Sequence, residues 1–307
     1  AGWESFDRDN SSLSSNSILD ITTCPDGRIA VIGSQGVATF EGGTWKEYSA
    51  DLNAVIGAEG IACDANNTFW VAFMSGVSHW DGNGWTTYPP ETVASGGTAT
   101  FFKDIAVAAD GSIWAISDAT VSKFDGGAWT AFYEGQGFSE RFYISSLALD
   151  SKGQPWIGHS SGLLHLDGEN WQSYSNPDTA TINALAIDSQ DRVWAASNID
   201  GLYLFEGGGW TQYDLAKEAG VSNSARSVAV DARDRVWTTT EYGLAVFDGA
   251  SWTVSHMHTA DLVENDLHNL ALVSGGPDLP ASMEKTPGIL NARVLDASGL
   301  PITNSPV

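Results

Sequence analysis

The stretch from Asn183 to Asp214, NALAIDSQDRVWAASNIDGLYLFEGGGWTQYD, decides the fold. ALAID, RVWAAS, GLYLF and GWTQY each carry apolar residues over about five positions, the length of a short strand. SQD, NID and EGG separate them, and Asn, Asp and Gly tolerate the positive φ that tight hairpins need. The stretch therefore reads as four consecutive antiparallel strands.

Outward from this stretch, the same unit recurs along most of the chain. Trp3, Trp45, Trp85, Trp129, Trp171, Trp210 and Trp252 hold one place in its fourth strand, at spacings of 42, 40, 44, 42, 39 and 42 residues. Trp70, Trp114, Trp156, Trp194 and Trp237 hold a place in its second strand, with Ala30 there in the first copy. Of the 13 Trp, only Trp80 lies outside these two places. Four strands repeating at a fixed period near 42 residues are the signature of a β-propeller. Helical repeats would need long amphipathic runs, and the chain offers only a possible turn at Leu215–Ala219.

Whole copies run at about 18–49, 58–89, 102–133, 144–175, 182–214 and 225–256. Residues 2–6 match the outer strand alone, and 267–273 the inner strand alone. The expected fold is all-β: a seven-bladed propeller of four-stranded blades with Velcro closure by the two chain ends, a six-bladed ring being the alternative. The propeller is assigned to 1–275 and a linker to 276–287. Residues 288–307 are assigned to the start of a β-sandwich or to degenerate strands of the last blade.

The inner strands carry a small residue at Ala62, Ala106, Ala148, Ala186, Ala229 and Ala271. These alanines fit blades that converge at the axis, where only a small side chain has room, with the indoles filling the wider periphery. Cys24 and Cys63 end inner strands of neighbouring copies. Inner strands are expected to stand further apart than the roughly 7 Å a disulfide spans, so two buried thiols are expected.

The chain holds 14 Lys plus Arg against 38 Asp plus Glu, a net charge of −24. Nucleic acid would need a basic patch, so it is excluded as a partner. No apolar run approaches the roughly 20 residues of a membrane span. Few Lys and many Ser, Thr, Asn and Trp fit a periplasmic or extracellular protein.

Copies such as SLALDSKGQPWIGHSSGLLHLDGENWQSY resemble the two-component-regulator propeller repeat, roughly LAxDxxGxxWxGTxxGLxxFDGxxW. The resemblance covers about residues 2–273. It implies a β-propeller of an exported, sensor-like, often glycan-sensing protein. VLDASGLPITNSPV resembles the opening of a carboxypeptidase-regulatory-like β-sandwich. Virginiamycin-type lyases share a similar propeller, but their His and carboxylate around magnesium find no position-by-position match.

The acidic residues at the turns, Glu41, Asp81, Asp125, Asp167, Glu206 and Asp248, with Asp150, Asp188 and Asp231 at the first turn, read as caps accepting backbone N–H bonds. Single carboxylates are too few for calcium. The six His are not spaced as a zinc set, so no metal, cofactor or catalytic residue is assigned.

One position stands apart from this framework. Eleven residues before each second-strand anchor come Leu19, Glu59, Lys103, Ser145, Asn183 and Arg226, different in every copy. This place is expected on the rim of the central channel. Loops 89–103 and 133–144, with Phe101, Phe102, Phe138, Arg141, Phe142 and Tyr143, open on the same face. So do the turns between second and third strands, with Met74, His159, Asn198, Glu241 and Tyr242. Lys103, Arg141, Tyr143, His159, Asn183, Arg226, Glu241 and Tyr242 are the candidate ligand-binding residues. The expected function is non-catalytic recognition of a protein partner or small glycan-like ligand. A lyase or hydrolase acting on a glycan or cyclic peptide, and a scaffold of a surface assembly, are the alternatives.

Overall fold

A computed structural model describes residues 4–34, 36–49, 57–97, 99, 101–178, 180–241, 243–256, 281–286 and 289–294. Six four-stranded blades follow one another along the chain. Blade 1 comprises Ile18–Thr23, Ile29–Gly33, Gly36–Glu41 and Thr44–Ser49. Blade 2 comprises Ala58–Cys63, Phe69–Phe73, Gly76–Trp80 and Trp85–Tyr88. Blade 3 comprises Phe102–Val107, Ile113–Ser117, Val121–Phe124 and Trp129–Glu134, with the two-residue strand Gly137–Phe138 added in parallel at its outer edge. Blade 4 comprises Ile144–Leu149, Pro155–His159, Gly162–Asp167 and Asn170–Ser175. Blade 5 comprises Ile182–Ile187, Val193–Ser197, Gly201–Glu206 and Gly209–Tyr213. Blade 6 comprises Ala225–Val230, Val236–Thr240, Gly243–Phe247 and Trp252–His256. The turn expected at Leu215–Ala219 is a short helix, Leu215–Glu218, capped by the Asp214 side chain.

Six four-stranded blades replace the seven expected. Glu4–Phe6 pairs with Ile289–Val294, which pairs with Ala281–Thr286, so the described parts of the two chain ends form a three-stranded sheet. The physical reason is composition: after His256 the chain has no Trp to anchor a further copy of the unit. The expected inner strand at 267–273 and most of the β-sandwich assignment lie outside the described residues. Phe6 packs against Phe40 and Trp45 of blade 1, which ties the first strand to the ring.

The small inner-strand residue has a different cause from axial crowding. Ala62, Ala106, Ala148, Ala186 and Ala229 stand directly opposite Trp70, Trp114, Trp156, Trp194 and Trp237 in the ladder. Directly opposite residues share one face with Cβ atoms about 5 Å apart, so the alanine leaves room for the indole. Blade 1 reverses the sizes: Thr22 stands opposite Ala30.

Each blade also places one base beside the acid of its first turn. In blades 5 and 6 it comes two residues before the Trp: Arg192 Nε donates to Asp188 at 2.7 Å, and Arg235 Nε to Asp231 at 2.6 Å. Blade 1 does the same with Arg28 and Asp26 at 2.7 Å. In blades 2, 3 and 4 that place holds Thr68, Ser112 and Gln154. There the base comes instead from the third strand, directly across from the Trp: His79, Lys123 and His165. Where the Arg is present, the third strand holds Thr39, Leu204 or Val246. His79 and His165 stack on Trp70 and Trp156 at 4.0 and 3.9 Å between centroids. Lys123 lies 5.2 Å over Trp114.

Six of the nine turn acids singled out in the sequence act as caps, whereas Glu41, Asp167 and Glu206 accept no such bond among the described residues, their hairpins being turned by glycines at positive φ. Asp64, Asp150, Asp188 and Asp231 each accept two backbone N–H bonds within their own turn. Asp81, Asp125 and Asp248 do the same at the hairpin before the outer strand. Blades are joined at this end by a second set of bonds. Ser151 donates through N and Oγ to Asp191 of the next blade, and Ser189 likewise to Asp234. Asp191 and Asp234 have φ of 58° and 57°, the left-handed region that Asn and Asp tolerate.

Cys24 and Cys63 form a disulfide with Cα atoms 5.0 Å apart, which corrects the expectation of free thiols. Ile21 and Ile61 are equivalent in their ladders, an offset of 40, whereas the cysteines are 39 apart. They therefore occupy successive places in the repeat. Successive side chains along a strand point to opposite faces, so one cysteine faces forward, the other back, and they meet in the cleft between blades 1 and 2.

Candidate functional site

Every inner strand breaks its ladder once, near its start. Ile18 pairs with Gly33 and Asp20 with Ile32, so Leu19 is an extra residue. The same β-bulge falls at Glu59, Lys103, Ser145, Asn183 and Arg226. These are the six residues that vary from copy to copy. A bulge bends the strand and re-aims the side chains beside it. Here the bulge residues, with Asp20, Asp104, Ser146, Ala184 and Ser227 that follow them, surround one cavity of about 850 Å³ at the centre of the ring. Leu147, Leu185 and Val228 line it further along the strands, and Met74 and Phe101 stand at its mouth.

Several polar heads in this funnel are held by the next blade. Lys103 Nζ donates to the Ile144 carbonyl at 3.0 Å, and Asn183 Nδ2 to the Ala225 carbonyl at 3.0 Å. Ser145 Oγ donates to the Ile182 carbonyl. Asp20 accepts the Ile61 N–H at 2.9 Å, and Asp104 accepts the N–H groups of Ile105 at 2.8 Å and Leu147 at 3.1 Å. Arg226 lies 3.5 Å from Glu241.

The acids stand on one side, in blades 1 to 3: Asp20, Glu59 and Asp104. Enclosure by protein, with Asp104 and then Glu59 adding like charge, pushes the Asp20 carboxyl up to about 7. Enclosure also pushes Asp104 up to about 6. Both side chains keep partial access to the water of the funnel, so solvent moderates these shifts. Gly60 separates them in sequence. A β-carbon there would sit 3.0 Å from the Asp104 Cα, tighter than ordinary contact, so a larger residue would make blades 2 and 3 give by a few tenths of an ångström.

Of the sequence candidates, the structure brings together Lys103, Asn183 and Arg226 in the funnel, with Glu241 beside Arg226. Arg141 and Tyr143 are not among the cavity residues; the Arg141 guanidinium lies 5.8 Å over the Tyr143 ring. His159 is buried, packs on Phe142 and accepts the Ser161 N–H at 3.2 Å. Burial pushes its imidazole down to about 4, so it is neutral at pH 7. Tyr242 and the side chain of His256 lie outside the described residues. Among the loop aromatics, Phe102, Phe138 and Phe142 are buried packing residues, whereas Phe101 and Tyr143 are exposed. Trp80 packs on Tyr48 and Trp85. Sequence reasoning missed Asp20 and Asp104, whose only signal is their place directly after the variable residue. Among the described residues no group of three or more His, Cys, Asp or Glu is disposed to hold a metal ion.

No protein-family model and no curated protein matches the sequence. Solved structures do match, all at low identity, and show the fold. A streptogramin B lyase structure matches with a TM-score of 0.75 at 13% identity, over 95% of this chain and 97% of that one. YCF48 bound to D1 peptide matches with a TM-score of 0.72 at 16% identity, over 100% of this chain and 98% of that one. The extracellular domain of a hybrid two component system from B. thetaiotaomicron matches with a TM-score of 0.73 at 16% identity. This chain spans 94% of its own length but 40% of that protein in the match. The neighbours thus include extracellular sensor-type propellers as well as a lyase. Among the described residues no helix is long and apolar enough to cross a membrane.

Proposed function

We propose that this protein is a non-catalytic recognition propeller of an exported or cell-surface protein, binding a ligand or partner in the central funnel. One observation carries the reading: all six inner strands bulge at the same place, and each bulge brings a different side chain to one cavity. A structural kink alone would not require six different residues. The extracellular domains among the neighbours support export and a sensor-like role. The test is a thermal-shift screen of glycans and metabolites on the wild type and on an Asn183→Ala, Arg226→Ala double variant. A compound that raises the melting temperature of the first and not of the second supports the reading. If every hit shifts both proteins equally, the funnel is not where ligands bind.

A second reading, a lyase or hydrolase acting on a glycan or cyclic peptide, is favoured by Asp20 and Asp104. Carboxyls raised toward neutrality in a cavity can serve as general acids. Each hit from the screen would be incubated with the protein and followed by mass spectrometry. Product formation that vanishes in Asp104→Asn, with binding retained, supports catalysis; intact ligand throughout removes it. The carboxypeptidase-regulatory-like reading of 288–307 is also retained as a proposal. It requires that limited proteolysis between 276 and 280, ahead of the strand Ala281–Thr286, release a propeller that melts as the full chain does.

A further inference from the structure

The funnel opens on a face that also carries the exposed large apolar side chains of the described residues. These are Met74, Phe101, Tyr143 and Ile199, at 41, 45, 65 and 64% exposure. Met74 and Ile199 lie in the turns between second and third strands of blades 2 and 5, and Phe101 and Tyr143 immediately precede the inner strands of blades 3 and 4. All four places are at the end of the ring where the inner strands begin. Apolar side chains at one end of an otherwise acidic protein offer apolar contact area around the funnel.

The charge inside the funnel narrows what can sit there. The Lys103 ammonium is engaged by a carbonyl, and Arg226 faces Glu241. Asp20, Glu59 and Asp104 stand in blades 1 to 3, and Glu59 is exposed. The whole chain carries −24, so the field at the mouth favours a cation. A small amine would leave most of about 850 Å³ and the apolar rim uncovered.

We infer that this face docks a polypeptide partner by setting a Lys or Arg side chain of that partner into the funnel against Asp20, Glu59 and Asp104, with flanking apolar residues on Phe101, Met74, Tyr143 and Ile199. The inference rests on the funnel reading above and names the chemistry of its partner. The entering cation would relieve the mutual repulsion of Asp20, Glu59 and Asp104. Lys103 and Arg226 are the bases it would meet there. Met74 and Ile199, which offer no ring for a sugar to stack on, supply contact area that a glycan would not require.

The probe is a fluorescein-labelled peptide, Gly-Ser-Leu-Phe-Lys-Phe-Leu-Ser-Gly, with versions carrying Arg, norleucine or Glu in place of the Lys. Fluorescence polarisation is measured on the wild type, Glu59→Gln and Phe101→Ala. The Lys and Arg peptides are expected to bind, and the norleucine and Glu peptides about tenfold more weakly. Glu59→Gln and Phe101→Ala are each expected to weaken the Lys peptide about threefold while moving the melting temperature by about 1 °C or less, as exposed substitutions do. If the Glu peptide binds as well as the Lys peptide, the inference is overturned. It is likewise overturned if only glycans bind and Phe101→Ala weakens them, and the funnel reading then survives. Binding of the Lys peptide that neither variant alters overturns the inference and removes the support for the funnel as well. No peptide binding up to about 1 mM overturns the inference and leaves the funnel reading to the thermal-shift screen.

Discussion

The single base beside each first-turn acid can be tested by moving it. In blade 4 the base is His165 and the alternative place holds Gln154; in blade 5 the base is Arg192 and the third-strand place holds Leu204. His165→Leu copies half of the blade 5 arrangement into blade 4. It removes a stacked contact with Trp156 at 3.9 Å and a long contact with Asp150 at 3.4 Å. Asp150 keeps its two backbone N–H bonds, so it is not stranded. The loss is about 1–2 kcal/mol, from an aromatic pair and one weak hydrogen bond, offset in part by the leucine. In a domain of this size that lowers the melting temperature by about 2–4 °C. Gln154→Arg then completes the copy. It should bring a charge-assisted bond like that of Arg192 to Asp188 at 2.7 Å and replace a buried Gln154 side-chain oxygen that has no hydrogen-bond partner among the described residues. The double variant should recover at least the wild-type melting temperature. The assay is a double-mutant cycle by calorimetry at pH 7.5, where His165, held down by burial, is neutral. Equal effects of Gln154→Arg with and without His165→Leu would show that the two places are independent. The one-base rule would then be accidental.

Three further outcomes are expected. Reducing the Cys24–Cys63 bridge, which closes a loop with a sequence separation of 39, should cost about 4 kcal/mol; an unchanged melting temperature in dithiothreitol would contradict this. The pH profile should be bent in opposite senses by two pairs of carboxyls. Asp191 and Asp234 are held below the usual range by Ser151 and Ser189, so their contribution is present above the unfolded value and lost as pH falls through the folded one. Asp20 and Asp104 are raised, so the folded state binds their protons more tightly and stability falls as pH rises from about 4 to about 7. Asp20→Asn should therefore gain stability over the wild type as pH is raised through that window, and a constant difference across it would refute the assignment. Phe102→Ala, at a fully buried side chain, should cost about 3–5 kcal/mol and Phe101→Ala, next to it and exposed, less than about 0.5. Chemical denaturation of both variants checks it, and equal costs would contradict the inward and outward assignments.

Much of the fold is legible because the indoles are large, rare and tied to one place in the strand ladder. The same markers made the rim residues visible, since Leu19, Glu59, Lys103, Ser145, Asn183 and Arg226 vary where their neighbours hold. What the sequence hides is the bulge itself, because an extra residue in a strand has no composition of its own. Asp20 and Asp104 were overlooked for that reason: without the bulge they read as ordinary alternation. The disulfide is not legible because neighbouring inner strands are expected to stand too far apart, and the one-residue offset that turns Cys24 and Cys63 toward each other shows only when the ladders are paired. Phe101 and Phe102, or Phe142 and Tyr143, are alike in chemistry, and only packing divides them into buried and exposed. The blade count failed where the Trp ran out.

The recurrent bulge also separates two jobs that a strand usually combines. Past each bulge the pairing resumes in the same register in every blade, so the identity of the extra residue is not needed to hold the sheet together. The ring can therefore be regarded as a socket with six addressable pins. Leu19 and Glu59 can be exchanged while the housing stays the same, whereas Lys103, Ser145 and Asn183 also latch the next blade, so rewriting the mouth there rewrites a joint between blades.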